Sequence, residues 1–376
     1  MTLIINKKDV TRRDFTRQVS LACAFFIVSP EVLKALKPAG YTEKVPALFQ
    51  QESPRGIMCL LCPNACVLKE NEAGDCRNRV VYKNKLYSIG YGNPCAVNND
   101  PVEKKPLYHF MPGTSALSIA TAGCNLACLN CQNWTISQTS PEKTTNYKLP
   151  PDDVVATAIA NKAASIAYTY SEPNTFYEYV FDTSKAARER GIKNIMVSNG
   201  YINPEPLKKL CKVIDAANID LKSFNDETYM KLNGGKLQPV LDSLRVYRDE
   251  GVWLEITNLV VPGWTDKPEE IRAMCKWLYA NGFKDTPIHF SRFFPQYKLE
   301  HLPPTPVNIL RTAAGIAKDE GLNYIYKDNL AGSETSDTFC PKCGKKIISR
   351  KGYTIIENNL KNGKCSCGTA IPGVWK

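Results

Sequence analysis

The chain has 376 residues, 43% of them hydrophobic, and 48 Lys and Arg against 37 Asp and Glu give a formal net charge of +11. That composition supports a sizeable core and excludes global disorder, and no apolar run reaches the ~20 residues that span a bilayer. The lysines are scattered and no arginine-rich tract accompanies them, so the charge describes a basic protein rather than a nucleic-acid binder.

Residues 1–45 read as a leader and linker. Arg12 and Arg13 sit in Thr11-Arg-Arg-Asp-Phe15, and an apolar stretch follows from Val19 to Val28. The pattern is that of a twin-arginine export signal, a route that carries proteins folded and loaded in the cytoplasm. A short amphipathic helix capped by Thr11 and Asp14 is the competing reading.

Residues 46–108 form a cysteine module with Cys59, Cys62, Cys66 and Cys76, and with Cys95 trailing as a substitute ligand. Four thiolates within eighteen residues make a closed metal site. Zinc would make it a structural staple, and an iron–sulfur cluster would make it an electron relay or a substrate site. Spacing alone leaves these open. Pro94, Pro101 and Pro106 predict a loop-rich strap at its end.

From residue 109 to 330 strand and helix alternate. Predicted strands are Leu117–Thr121, Ser165–Tyr170, Asn194–Ser198, Asn218–Lys222, Trp253–Val261, Pro287–Phe293 and Asn323–Tyr326. Predicted helices are Pro151–Ala164, Asn174–Arg190, Glu205–Ala217, Leu237–Glu250, Glu269–Asn281 and Pro306–Glu320. Repeated βα units predict a parallel sheet with its site at the C-terminal strand ends. Six units fall short of the usual eight, so the expected fold is α/β, a partial (β/α)6 TIM-type barrel. Cys211 and Cys275 fall on apolar helix faces, as small core residues do.

Residues 331–376 carry Cys340-Pro-Lys-Cys343 and Cys365-Ser-Cys367, a zinc-ribbon-like pattern with one residue rather than two in its second half. So small a module needs metal to fold. Fifteen cysteines in such tight groups suit metals better than disulfides, and imply loading in a reducing compartment.

The loop after the first core strand holds Cys124-Asn-Leu-Ala-Cys128-Leu-Asn-Cys131. Thiolates are the natural ligands of iron–sulfur clusters, and a cluster used only for electron transfer takes four. Three leave one iron open to a substrate. A zinc knuckle with a borrowed fourth ligand is the bland alternative.

This arrangement resembles the radical S-adenosylmethionine (SAM) superfamily, whose signature is CxxxCxxC after the first strand of a partial barrel. Lys105-Pro-Leu-Tyr-His-Phe-Met-Pro-Gly113, Gly123-Cys-Asn, Cys131-Gln-Asn-Trp134 and Ser291-Arg-Phe-Phe-Pro-Gln-Tyr-Lys298 are similar to the AmmeMemoRadiSam-system radical SAM enzymes, relatives of pyruvate formate-lyase activating enzyme. The resemblance covers residues 55–376. It implies a [4Fe–4S] cluster on Cys124, Cys128 and Cys131, SAM as cofactor, an external electron donor, and hydrogen abstraction from a protein or peptide. It also implies Memo-like and AMMECR-like partners. By position it assigns Ser171 and Glu172, from Tyr170-Ser-Glu-Pro173, to the SAM amino group. Ser198 and Asn199 fall to the ribose or carboxylate, and Asp220 and Lys222 to the amino and carboxylate groups. Asn258 and His289 are placed at the same mouth. Asn130 departs from the family, which has an aromatic residue against the adenine there; Trp134 stands nearby. His109 and His301 are expected to be structural. The rival functions are a multi-zinc nucleic-acid-binding protein and an electron-transfer protein without SAM chemistry.

Overall fold

The structure, a computed structural model, describes residues 36–330 and 336–375. The twin-arginine-like stretch lies outside the described residues. Seven parallel strands follow one another across the central sheet in chain order: β1 (Ser115–Ala120), β2 (Ser165–Tyr168), β3 (Lys193–Ser198), β4 (Ala216–Asp220), β5 (Trp253–Val260), β6 (Ile288–Arg292) and β7 (Ile325–Asp328). Six helices link them: α1 (Pro151–Ala160), α2 (Tyr177–Glu189), α3 (Pro204–Cys211), α4 (Leu237–Asp249), α5 (Pro268–Ala280) and α6 (Val307–Asp319).

Proline starts α1, α3 and α5, where a missing N–H loses no intrahelical bond. Glycine with a φ of 73–88° follows the ends of α2, α4, α5 and α6, the left-handed stop that a side chain resists.

The pleat sorts the sheet's residues onto two faces. Leu117, Ile119, Ile166, Tyr168, Met196, Ile219, Leu254 and Ile256 meet Val154, Val180, Leu207, Leu244, Met274 and Leu310 in one core, so all six helices cover the same face. On the other face Ala116, Ala167, Ile195 and Ala216 leave room for a strap, whose Val102, Leu107 and Phe110 lie against them. Full burial of Phe110 contributes roughly 1.5–3 kcal/mol.

Three expectations need correction. The segment ahead of the strap is an antiparallel strand, Ala96–Pro101, paired along the whole of β1. Pro101 closes that edge strand, where a proline takes no bond from the ladder. Helix α3 stops at Cys211 and β4 starts at Ala216, so Lys222 lies beyond its strand. The apolar residues of Val213–Ala217 fit a helical and an extended period equally, and burial decides for the strand.

The N-terminal module consists of two three-stranded antiparallel sheets. Its Ala47, Ile57, Leu61 and Leu86 belong to the same core as the helices. The C-terminal module is a three-stranded sheet of Thr338–Phe339, Lys346–Lys351 and Thr354–Asn358. It docks under the strap. Arg350 donates to the Tyr108 carbonyl at 2.8 Å, and Ile347, Cys365 and Ile371 pack on Tyr108, Tyr324 and Tyr326. No described helix is long and apolar enough to cross a membrane.

Candidate functional site

The C-terminal strand ends surround a cavity of about 730 Å³. Cys124, Cys128 and Cys131 line one side, and Ser171, Glu172, Ser198, Asn199, Asp220 and Lys222 line the rest. No other cysteine and no histidine lines it, among the described residues.

The cysteine loop is held from both sides. Gly123, at φ +108°, turns the chain off the end of β1 and donates to the Ile136 carbonyl at 2.8 Å. Ala127 and Leu129 donate to the carbonyls of Asn233 and Leu232, at 2.8 and 2.9 Å. Three donors reach the sulfurs: Leu126 N to Cys124 Sγ at 3.4 Å, Asn199 Nδ2 to Cys124 Sγ at 3.7 Å, and Asn233 Nδ2 to Cys128 Sγ at 3.3 Å. Burial, then neighbouring negative charge, pushes the thiols of Cys124 and Cys131 up.

Glu172 lies four residues past the end of β2. Its carboxylate accepts from Asn174 N at 3.0 Å, Ser198 Oγ at 2.7 Å and Asn199 N at 2.8 Å. Burial raises the carboxyl to about 7 against these donors. Ser171 donates back to the Thr121 carbonyl at 2.5 Å. Lys222 pairs with Asp220 at 2.8 Å. Desolvation alone would depress this ammonium, but Asp220 and Cys128 beside it raise it well above the ordinary lysine value.

Two of the anticipated residues do not reach the cavity. Asn258 lies on the helix-facing side of β5 and donates to the Leu221 carbonyl at 2.8 Å. His289 is on the inner face but deeper, between Glu255 and Asp328 at 2.8 Å each. Burial opposes its protonation, yet the two carboxylates raise its pKa to about 9. Glu255 in turn accepts from the backbone N–H groups of Tyr108 and His109, so this triad fastens the strap. His109 bonds the Pro372 carbonyl and the Tyr326 hydroxyl, and His301 is exposed. Trp134 does not line the cavity. Its ring stacks on Tyr297 with centroids 5.2 Å apart.

Sequence reasoning missed a cluster at the cavity's rim. Lys105 is buried, pairs with Asp100 at 2.7 Å and lies 4.4 Å from the centre of the Tyr170 ring, while the Tyr170 hydroxyl donates to Asp100. Burial lowers Lys105 to about 8. The same burial would raise Asp100, but Lys105 and its other donors hold it well below the ordinary carboxylate range. The spacing of Asp100, Lys104 and Lys105 signals the two ion pairs within that segment and not the arrival of Tyr170.

The outer cysteines separate into two geometries. Cys340, Cys343, Cys365 and Cys367 bring all four sulfurs within 4.8 Å of one another, with 3.7 Å between the sulfurs of Cys340 and Cys367 and again of Cys343 and Cys365. A zinc tetrahedron with 2.3 Å bonds has edges of about 3.8 Å. Cys59, Cys62, Cys66 and Cys76 line a separate cavity. Cys95 is not part of it and approaches the Ala120 carbonyl instead. Cys211 and Cys275 are buried in the helix-facing core.

Residues 118–278 match the profile of the Radical SAM superfamily. An uncharacterized protein of Methanocaldococcus jannaschii is 42% identical over 326 residues, 86% of this chain and 97% of its own length. The chain belongs to the radical SAM superfamily. This radical SAM enzyme is also 24% identical over 218 residues to the pyruvate formate-lyase 1-activating enzyme of Escherichia coli, covering 54% of this chain and 89% of that one. A domain of pyruvate-formate lyase-activating enzyme from Bacteroides vulgatus superposes on 44% of the chain and 99% of its own length, with a TM-score of 0.38 and 14% identity, a likeness too loose to bear on function.

Proposed function

We propose that Cys124, Cys128 and Cys131 hold a [4Fe–4S] cluster, and that the cavity beside them binds SAM. The observation that carries this is the three-thiolate end of the cavity facing Glu172, Ser198, Asn199, Asp220 and Lys222. When bound, the pair supplies reductive cleavage of SAM to a 5′-deoxyadenosyl radical that takes hydrogen from a substrate.

The residues present fit both groups. Among the described residues no fourth thiol lines the cavity, which suits a cluster with one open iron. Glu172 presents a buried acceptor for the SAM ammonium and Lys222 a cation for its carboxylate. Ser198 Oγ and Asn199 N hold Glu172, Ser171 ties its segment to the Thr121 carbonyl, and Ser198 and Asn199 would meet the ribose or carboxylate. Asn130 has a buried side-chain oxygen without a hydrogen-bond partner at the cavity wall, an acceptor suited to an adenine amino group in place of the family's aromatic contact. Asn258 and His289 support the scaffold.

Helices on one face of a sequentially ordered parallel sheet, with the strap and the site on the other, support a partial (β/α)6 barrel. The chain divides at 46, 109 and 331 on this reading, with strand Ala96–Pro101 joining the core sheet. The pinched C-terminal quartet supports structural zinc. Activating enzymes are named for a protein they activate, which supports a protein or peptide substrate here. An external electron donor, Memo-like and AMMECR-like partners, and assembly in the cytoplasm with twin-arginine export belong to the same reading.

Anaerobic reconstitution, dithionite and SAM test it. The wild type should form 5′-deoxyadenosine. Replacing Cys124, Cys128 and Cys131 by Ala should abolish this and remove about four irons, one cubane. Product formation by that variant would refute the reading.

A further inference from the structure

We propose that Cys59, Cys62, Cys66 and Cys76 hold a second [4Fe–4S] cluster, closed by four thiolates, that passes electrons to the core cysteine triplet.

The molecule contains its own standard for sulfur spacing. The C-terminal quartet gathers its sulfurs as a single small ion demands. Among the described residues, no three of Cys59, Cys62, Cys66 and Cys76 bring their sulfurs within 4.8 Å of one another, and neither do Cys124, Cys128 and Cys131. All four N-terminal cysteines nevertheless line one cavity. A cubane carries its thiolates on outward corners, further apart than one zinc ion allows. The N-terminal quartet, like the core triplet, thus lacks the pinch of the ribbon. Arg79 is buried on the cavity wall, where its guanidinium pairs with Glu178 and lies 3.8 Å from Cys59 Sγ, a donor to that sulfur.

The cavity is placed for transfer. A methyl group on Gly123, one residue before Cys124, would lie 2.4 Å from the Cys76 carbonyl oxygen, so the two backbones are in direct contact. A second route runs through side chains. Asn125 lines the N-terminal cavity and accepts from Asn199 Nδ2 at 2.9 Å, and that same amide lies 3.7 Å from Cys124 Sγ. With four thiolates no iron is open to a substrate, which leaves electron transfer as the role. One electron enters from a low-potential donor of the flavodoxin class and one leaves for the core triplet. No bond forms or breaks.

The relay role rests on the radical reading above; the metal content does not. The reconstituted wild type should contain about eight irons and eight sulfides, two cubanes, with one zinc. The variant with Cys124, Cys128 and Cys131 replaced by Ala should keep about four irons. Two zincs and no iron in that variant would overturn the cluster. The wild type supplies a second measurement that needs no variant to fold. Its reduced form should show two electron paramagnetic resonance signals, of which SAM alters one; a single signal, altered in full, overturns the proposal. A Cys62→Ser variant should lose 5′-deoxyadenosine formation driven by reduced flavodoxin more than that driven by dithionite. Equal loss with both donors overturns the relay, and the iron count then stands or falls separately. Absence of 5′-deoxyadenosine from a wild type with about eight irons would refute the radical reading and leave the second cluster in place.

Discussion

The α-carbon of Gly123 faces the carbonyl oxygen of Cys76 so closely that a β-carbon there would sit 2.4 Å away, and 2.6 Å from Asn78 Nδ2. This contact presses the N-terminal module onto the loop that carries the core cysteines. The backbone at Gly123 also has φ +108°, a conformation side chains resist. Gly123→Ala should therefore destabilise the protein by at least about 1–3 kcal/mol from strain alone. A lowered urea midpoint and reduced iron retention would show it. A variant with the stability and iron of wild type would mean the two modules do not press together.

Glu172 receives three hydrogen bonds and stands at the cavity wall. Glu172→Gln keeps the shape and removes the charge. A hydrogen bond to a charged group is worth about 1.5–3 kcal/mol, so SAM affinity should fall roughly ten- to a hundredfold. Iron content should not change, because Glu172 is not a thiolate. Calorimetric titration of the reconstituted protein with SAM measures the first and metal analysis the second. Unchanged affinity would remove Glu172 from the SAM site.

His289 supplies a pH dependence. Its imidazole holds a proton to about pH 9 when folded, between Glu255 and Asp328, against an ordinary value of 6.5. A base with a raised folded pKa stabilises most below its unfolded pKa. That stabilisation is complete below about pH 6.5 and is lost as the pH climbs toward 9, a span worth about 3 kcal/mol. His289→Asn should thus differ most from wild type near pH 6 and least above pH 9. Melting temperatures of the two proteins across that range test it, and a difference independent of pH would mean the imidazole stays neutral.

Cys343 and Cys367 are exposed, whereas Cys340 and Cys365 are buried. Replacing both exposed thiols by Ser should release one zinc, because two thiolates cannot complete a tetrahedral site. The ribbon should then become susceptible to protease around Lys351, while the iron content of the core stays constant. Retained zinc would point to ligands other than these four.

Much of the core was legible because α/β units write themselves in two periods. Helices α1, α2, α4, α5 and α6 start within about three residues of their expected positions, element ends being the least certain feature. The contiguous cysteines were legible for a simpler reason: thiolate spacing of three or four residues has few uses other than metal. What sequence did not show were relations across the sheet. The parity of β5 turns Asn258 toward the helices and Thr257 toward the cavity, and one strand's residues look alike until a neighbour fixes the register. The Asp100–Lys105–Tyr170 cluster joins an edge strand to the end of β2, 70 residues from Asp100 to Tyr170. No local pattern encodes that meeting. The spread of the N-terminal sulfurs is likewise a distance that Cys59, Cys62, Cys66 and Cys76 acquire only when Gly74 and Arg79 close round them.

The hairpin of the C-terminal ribbon does more than cap the chain. Ser336, Gly352 and Tyr353 stand in the wall of the same cavity that the core cysteines line. Residues 336–353 follow the seven core strands in the chain, so this part of the cavity wall is synthesised after the rest. On the reading proposed above, removing the ribbon's ion would loosen that wall while leaving the core cysteines in place.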